Sequence, residues 1–189
     1  GENFNIALRS FVEGDEKKID EVMENEKVVN FLNHEITDEL AHISQTGLSE
    51  VDSRTVTGML HVIMDIERIS DIAENVADLA ATRLEKKIKL SKKGVAEIEF
   101  MGKKLNEAFS MLRDMMRDNN LEYAKRIVEI EDEIDIYEAK IKKLHVKRLQ
   151  RGECTASAST LFTDLITMCE RVADHAANIA ALALRGDIQ

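Results

Sequence analysis

The sequence predicts an all-α protein built as two tandem three-helix bundles. Its 189 residues include no proline and eight glycines, and 33% are charged, a balance typical of long uninterrupted helices. Apolar residues follow helical 3, 4 spacing along most of the chain. The segment DIERISDIAENVADLA, starting at Asp65, is repeated within TMCERVADHAANIAAL, starting at Thr167, with an offset of 103 residues. The chain is therefore an internal duplication.

The first repeat is predicted to span residues 1–90, with helices at about 2–13, 15–46 and 49–88. Gly14 precedes the second helix, and Gly47 lies between the second and third. Ser49 followed by Asp52 resembles a capping box, with Asp in place of the usual Glu or Gln. The first helix is about half as long as its counterpart in the second repeat, so we expect a truncated helix with an exposed, frayed N-terminus.

The second repeat is predicted to span residues 91–189, with helices at about 91–118, 120–150 and 155–185. Asn119 and Gly152 lie at its two internal turns. The fifth helix has a regular apolar seam that suits bundle packing. This seam consists of Ile127, Ile130, Ile134, Tyr137, Ile141 and Leu144.

Composition limits the functional classes. A hydrophobic content of 44% is sufficient for a core, and the net charge of −10 opposes nonspecific binding to nucleic acid. Two cysteines outside any CxxC pair predict no disulfide framework and suit a reducing compartment. No apolar run approaches the roughly 20 residues of a membrane-spanning helix. Because the chain starts at Gly1, without methionine, we expect it to be part of a longer polypeptide.

The duplication preserves charged residues as well as apolar ones. The matched pairs are Glu67 and Glu170, Arg68 and Arg171, Asp71 and Asp174, and Asn75 and Asn178. Residues four apart share a helix face, so the repeated Glu, Asp and Asn form one ridge in each repeat. The apolar seams are Ile66, Ile69, Ala73, Val76 and Ala80 in the first repeat, and Cys169, Val172, Ala176, Ile179 and Ala183 in the second. We expect the carboxylates to lie roughly opposite these seams, in solvent.

A second pair of segments aligns with an offset of 105 residues, VMENEKVVNFLNHEI from Val22 and IVEIEDEIDIYEAKI from Ile127. Glu26 then matches Glu131, but Asn30 matches Asp135 and Asn33 matches Glu138. The first copy therefore lacks two carboxylates that the second copy has.

Acidic residues consequently occur four apart on several helices. The pairs are Glu67 with Asp71, Glu131 with Asp135, and Glu170 with Asp174, beside an incomplete pair of Glu26 with Asn30. Carboxylates from two neighbouring helices can surround a hard or borderline cation. The alternative is that they are ordinary charges on solvated faces, or are neutralised by Arg68 and Arg171.

These residues resemble a known family. ERISDIAENVADL, from Glu67, and ERVADHAANIAAL, from Glu170, resemble the ER-(I/V)-G-D-x-A-x-N-(I/V)-A signature of PhoU-like domains, which consist of two three-helix repeats. More narrowly, residues 34–71 and 148–175 resemble the cytosolic C-terminal domain of bacterial sodium/phosphate cotransporters. Ser70 and Ala173 occupy positions where the signature usually has glycine.

The resemblance implies surface clusters of iron or zinc bound by the acidic motifs. A more complete second site would consist of Glu131, Asp135, Glu170 and Asp174, and a weaker first site of Glu26, Glu67 and Asp71. It also implies a non-catalytic regulatory domain that controls phosphate uptake. The implied partners are a membrane phosphate transporter portion or subunit and a phosphate-sensing kinase, with a homodimer as a further assembly. The implied location is cytoplasmic, at the inner face of the cell membrane.

The sequence leaves three alternatives open. The chain could be a free-standing PhoU-like regulator of phosphate signalling, or an acidic docking module without a functional metal. An enzymatic di-iron bundle is suggested by Glu39-x-x-His42, but the second Glu-x-x-His that such sites use is absent. The sequence assigns His175 to packing or to support of a neighbouring ligand. It is not assigned as a ligand itself, because its side chain diverges by about 100° from that of Asp174.

Overall fold

A computed structural model describes residues 1–188 as six α-helices, with no strand among them. The helices are α1 (Glu2–Glu13), α2 (Glu16–Ser44), α3 (Glu50–Glu85), α4 (Lys92–Asp118), α5 (Leu121–Gln150) and α6 (Ala156–Leu184). The all-α prediction is confirmed, and every expected helix is present.

Side chains cap the helix starts where the sequence suggests. The Ser49 hydroxyl accepts a hydrogen bond from the Asp52 backbone N–H at 3.2 Å, which fixes the beginning of α3. Ser91 caps α4 in the same way through the backbone N–H of Gly94, at 3.1 Å. α1 ends at Gly14, whose φ of 74° is the left-handed conformation that favours glycine.

The helices form two three-helix bundles. α1, α2 and α3 pack against one another, as do α4, α5 and α6, and the bundles join through α3 with α6 and α1 with α4. One continuous apolar core extends through both bundles. At the junction Gly58 of α3 lies against the backbone of Asp187, and Gly102 of α4 lies against Leu8 of α1.

The two bundles are unequal because α1 has 12 residues and α4 has 27. The first half of α4 therefore has no counterpart in the first bundle. It covers parts of α5 and α6, whereas the matching parts of α2 and α3 are left uncovered. Ile66 is therefore 48% exposed although the equivalent Cys169 is 1% exposed. The other seam residues of α3 and α6 are buried as predicted, and in the α5 seam Leu144 is also exposed, at 41%.

The N-terminus is exposed at Gly1 and Glu2, as expected, but the body of α1 is packed against the core. Phe4, Ala7 and Phe11 of α1 are fully buried, and Gly1 lies against the Phe109 ring. Desolvation lowers the pKa of the Gly1 amine. The short α1 is thus a packed part of the core. None of the helices in residues 1–188 is long and apolar enough to cross a membrane.

Candidate functional site

A cluster of carboxylates lies between α5 and α6. Glu131 and Asp135 stand one turn apart on α5, and Asp174 reaches them from α6. One oxygen from each of the three lies within 4.8 Å of the others. Ile130 and Ile134 of α5 and Val172 and Ala173 of α6 are buried beside them, which fixes the two helices that present the cluster.

No basic side chain of the described residues neutralises the negative charge of this cluster. Within residues 1–188 no Lys, Arg or His side chain forms an ion pair with Glu131, Asp135 or Asp174. Burial, followed by repulsion from Asp135 and Asp174, raises the pKa of Glu131 to about 7. Burial and Asp174 also raise the pKa of Asp135. Concentrated negative charge of this kind favours a bound cation or a shared proton.

Two further carboxylates lie at the edge of this cluster. Burial raises the pKa of Glu170, with added repulsion from Asp174, Glu138 and Asp135. Glu138, seven residues after Glu131 on the same face of α5, also forms an ion pair with Lys142. The duplication marks Glu138 as a carboxylate that the first copy lacks, but the predicted site omits it. Its helical spacing from Glu131 is the signal that would have identified it as part of the site.

The donor chemistry of the cluster fits a metal ion. All three grouped ligands are carboxylates, which suit hard and borderline cations and discriminate poorly among them. The helical geometry suggested that Glu170 and Asp174 lie in solvent opposite the core, but the structure buries both in part, whereas Asp135 is exposed. Glu131, Glu170 and Asp174 are half-buried, because each helix faces a second helix as well as the core.

The corresponding first-repeat residues are arranged differently. The Glu26 side chain is 4% exposed, and the Ser70 hydroxyl donates a hydrogen bond to its Oε2 atom. Its Oε1 atom has no hydrogen-bond partner. Burial raises the pKa of Glu26, against the opposing effect of the Ser70 hydrogen bond and with repulsion from Asp71 and Glu74. Glu26 thus sits as a buried, hydrogen-bonded carboxyl group.

The remaining first-repeat ligands are not gathered around Glu26. Arg68 pairs with Asp71 at 3.3 Å, and Glu67 is half-buried. In the part of the chain that the structure describes, Glu131, Asp135 and Asp174 form the single group of three or more potential ligands within 4.8 Å. The structure therefore assembles Glu131, Asp135 and Asp174 of the second-repeat set, whereas Glu26, Glu67 and Asp71 form no such group among residues 1–188.

The other candidate residues have ordinary packing roles. His175 Nδ1 lies 2.8 Å from Asp65 Oδ1, which joins α6 to α3 across the repeat interface. Glu39 and His42 are both exposed, and neither belongs to a group of potential metal ligands among residues 1–188. Cys169 is buried, and burial raises its pKa to about 12.

The fold is similar to solved structures of known proteins. PhoU from Pseudomonas aeruginosa superposes with a TM-score of 0.91, at 21% identity, over 98% of this chain and 88% of that chain. The phosphate transport system regulatory protein PhoU from Streptococcus pneumoniae gives a TM-score of 0.85, at 19% identity, over 98% and 86%.

Sequence relatives agree with this comparison. The chain is 26% identical over 186 residues to the phosphate-specific transport system accessory protein PhoU homolog 1 of Thermotoga maritima, covering 94% of this chain and 76% of that protein. It is 29% identical over 134 residues to the corresponding PhoU homolog of Deinococcus radiodurans, covering 68% of this chain and 59% of that protein. The PhoU domain model matches residues 1–80 and 98–183, one segment in each repeat, and the chain belongs to the PhoU domain family.

Proposed function

We propose that this protein is a non-catalytic regulator of phosphate transport that acts as an accessory to a membrane transporter. The observation that carries the proposal is the family match in both repeats. Both relatives described above are named as accessory proteins of phosphate-specific transport systems. These relatives favour an accessory regulator over a covalent part of a sodium/phosphate cotransporter, for which residues 34–71 and 148–175 provide the resemblance.

A metal ion is the second part of the proposal. Glu131, Asp135 and Asp174 would hold it, and Glu170 lies on the same face of α6 as Asp174. Iron or zinc is the metal expected from the family resemblance. A bound cation would offset the repulsion among the carboxylates and so hold α5 and α6 in one arrangement. Regulation would then depend on metal occupancy.

The expected partners follow from the same family. The transporter portion or subunit is the first, and a phosphate-sensing kinase that reports transporter state is the second. The proposed location is the cytoplasmic face of the membrane, where both partners are accessible.

Replacement of the chromosomal gene tests this function. A strain lacking the protein should lose phosphate-dependent control of uptake, and a strain with Asp135→Asn and Asp174→Asn should show the same defect if metal is required. Glu67→Gln with Asp71→Asn is the control in the first repeat and should leave the control of uptake intact. Unchanged uptake and regulation in the deletion strain would refute the regulatory role.

A docking module without metal is the alternative that the acidic surface supports. In that case, association with the transporter would weaken as ionic strength rises and would persist after chelation. Loss of association on chelation, restored by added metal, supports the metal-dependent form instead.

A further inference from the structure

One end of the second bundle concentrates positive charge in this acidic protein. Residues 85–95 and 143–155 contain nine basic and two acidic side chains, a surplus of seven, although the net charge of the chain is −10. The fold brings the two segments together, because Arg148 near the end of α5 donates two hydrogen bonds to Glu97 near the start of α4, at 2.7 and 2.5 Å. Gly94 lies against the ring of Phe162, which adds the start of α6 to the same end.

We call this surface the basic end. It comprises the exposed side chains of Lys86, Lys87, Lys89, Lys92, Lys93, Lys143, Lys147 and Arg151. Across residues 1–188, none of the seven lysines forms an ion pair within 4.0 Å, and Arg151 has only a 3.8 Å contact with Glu153. Of the acidic residues nearby, Glu13 and Asp15 are paired with Lys18, and the exposed Glu85 beside Lys86 forms no ion pair among the described residues. The positive charges therefore face solvent.

Two of the lysines occupy an unfavourable position at a helix start. α3 and α5 end where α4 and α6 begin, so the dipoles of these four helices offset one another at this end. α4 and α6 both begin here, and neither has an acidic residue in its first turn, whereas the other four helices each do. Lys92 and Lys93 lie in the first turn of α4, where the helix dipole disfavours cations. The stability of α4 therefore does not explain why Lys92 and Lys93 stand in its first turn. Their presence there points to an external anionic partner.

The duplication provides an internal comparison. With the offset of 105 residues, Lys143 and Lys147 of α5 correspond to Asp38 and His42 of α2. The equivalent part of α2 therefore has one acidic residue and one histidine in place of the two lysines. The positive charge is a feature of the second repeat and not of the shared bundle architecture.

The chemistry of the basic end selects one kind of partner. Seven of its eight cations are lysines, which act as point charges and lack the planar fork with which Arg reads phosphate or carboxylate groups. Exposed aliphatic side chains lie among them: Leu144 is 41%, Val146 53% and Leu149 38% exposed. Lysines mixed with aliphatic residues suit an anionic lipid surface, where the charges meet headgroups and the apolar groups enter the interface.

We propose that the basic end docks this protein on the surface of an anionic lipid bilayer. The rest of the chain is strongly acidic, so the same surface repels it and sets the orientation of the molecule. Contact through the basic end leaves the carboxylates near the middle of α5 away from the bilayer. This surface is separate from the metal cluster, and the proposal goes beyond the regulatory function without relying on bound metal.

Co-sedimentation with vesicles tests the proposal. The purified protein is mixed at low salt with phosphatidylcholine vesicles, with or without phosphatidylglycerol. The test variant carries Lys86→Gln, Lys87→Gln and Lys89→Gln. The matched control carries Lys27→Gln, Lys103→Gln and Lys125→Gln, three exposed lysines on the sides of other helices. Circular dichroism and thermal unfolding of both variants establish that they fold.

We expect binding only to vesicles that contain phosphatidylglycerol, and weaker binding as salt rises. The test variant should bind roughly 100-fold more weakly, since each of its three basic groups near an anionic surface contributes about 1 kcal/mol. The control variant should bind like the wild type. Equal binding to neutral vesicles, equal losses in both variants, absence of binding, or displacement from vesicles by duplex DNA at equal charge would each overturn the proposal.

Discussion

The Ser70 hydroxyl of α3 donates a hydrogen bond to the buried Glu26 carboxyl group of α2. The equivalent position in the second repeat is Ala173, which has no hydroxyl to offer Glu131. Glu131 instead lies near Asp135 and Asp174. A single hydroxyl thus gives the Glu26 carboxyl group a partner within the protein that Glu131 lacks.

The Ser70→Ala substitution should destabilise the first bundle. Glu26 already has one unpartnered oxygen, and the substitution would leave the second without its donor as well. Leaving a buried polar group unsatisfied costs about 1–3 kcal/mol. Urea unfolding followed by circular dichroism measures the change. Ala173→Ser at the matching position should cost less, and an equal loss in both variants would argue against a specific role for the Ser70 hydrogen bond.

Metal binding should depend on the second repeat. We expect protein purified without chelators or a metal-affinity tag to hold iron or zinc in stoichiometric amount, measured by elemental analysis. Glu131→Gln with Asp174→Asn should abolish it, because two of the three grouped ligands lose their charge. The folded first-repeat variant, Glu67→Gln with Asp71→Asn, should keep most of the metal. Wild-type protein that neither contains nor takes up metal would leave acidic docking as the explanation of the cluster.

The stability of the metal-free protein should fall as pH rises from about 4.5 to about 7. The pKa of Glu131 is raised in the fold to about 7 from an ordinary value of 4.5, so the folded state binds its proton more tightly than the unfolded state. This contribution is fully present below the unfolded pKa and is lost as pH passes through the folded one. Urea midpoints across this range measure it.

The Glu131→Gln variant is the control for this pH effect. Its stability should depend less on pH over the same range, because glutamine cannot titrate. Added metal should raise wild-type stability more above pH 7 than below it, because Glu131 loses its proton as pH rises through about 7. Identical pH profiles for the wild type and the variant would show that Glu131 is not the group responsible.

The Gly58→Ala substitution should weaken the junction between the bundles. A Cβ atom at Gly58 would lie 2.3 Å from the Asp187 backbone oxygen, which cannot move as freely as a side-chain tip. We expect a loss of about 1–3 kcal/mol, despite the better helix propensity of alanine. At Gly102 the added atom would meet the end of the flexible Leu8 side chain at 2.4 Å, so Gly102→Ala should cost less. Unfolding midpoints of both variants decide this.

The sequence predicts the helices well because their apolar spacing and caps are local features. It also identifies the acidic residues through the duplication. It does not predict the exposure of Ile66, which depends on the length of a different helix, α1. Nor does it predict the burial of Glu26, because the hydrogen bond to Ser70 joins residues 44 positions apart. These differences arise from contacts between helices, which periodicity within one helix does not encode.

The ion pair between Arg148 and Glu97 should be a strong link between α5 and α4. Both side chains are largely buried, 9% and 13% exposed, and two hydrogen bonds join them. Arg148→Met would leave Glu97 charged and half-buried without its partner, and breaking such a pair costs about 3–5 kcal/mol. Adding Glu97→Leu should recover much of the stability, since two apolar side chains then fill the space. Chemical unfolding of the single and double variants measures the coupling, and additive losses would contradict it.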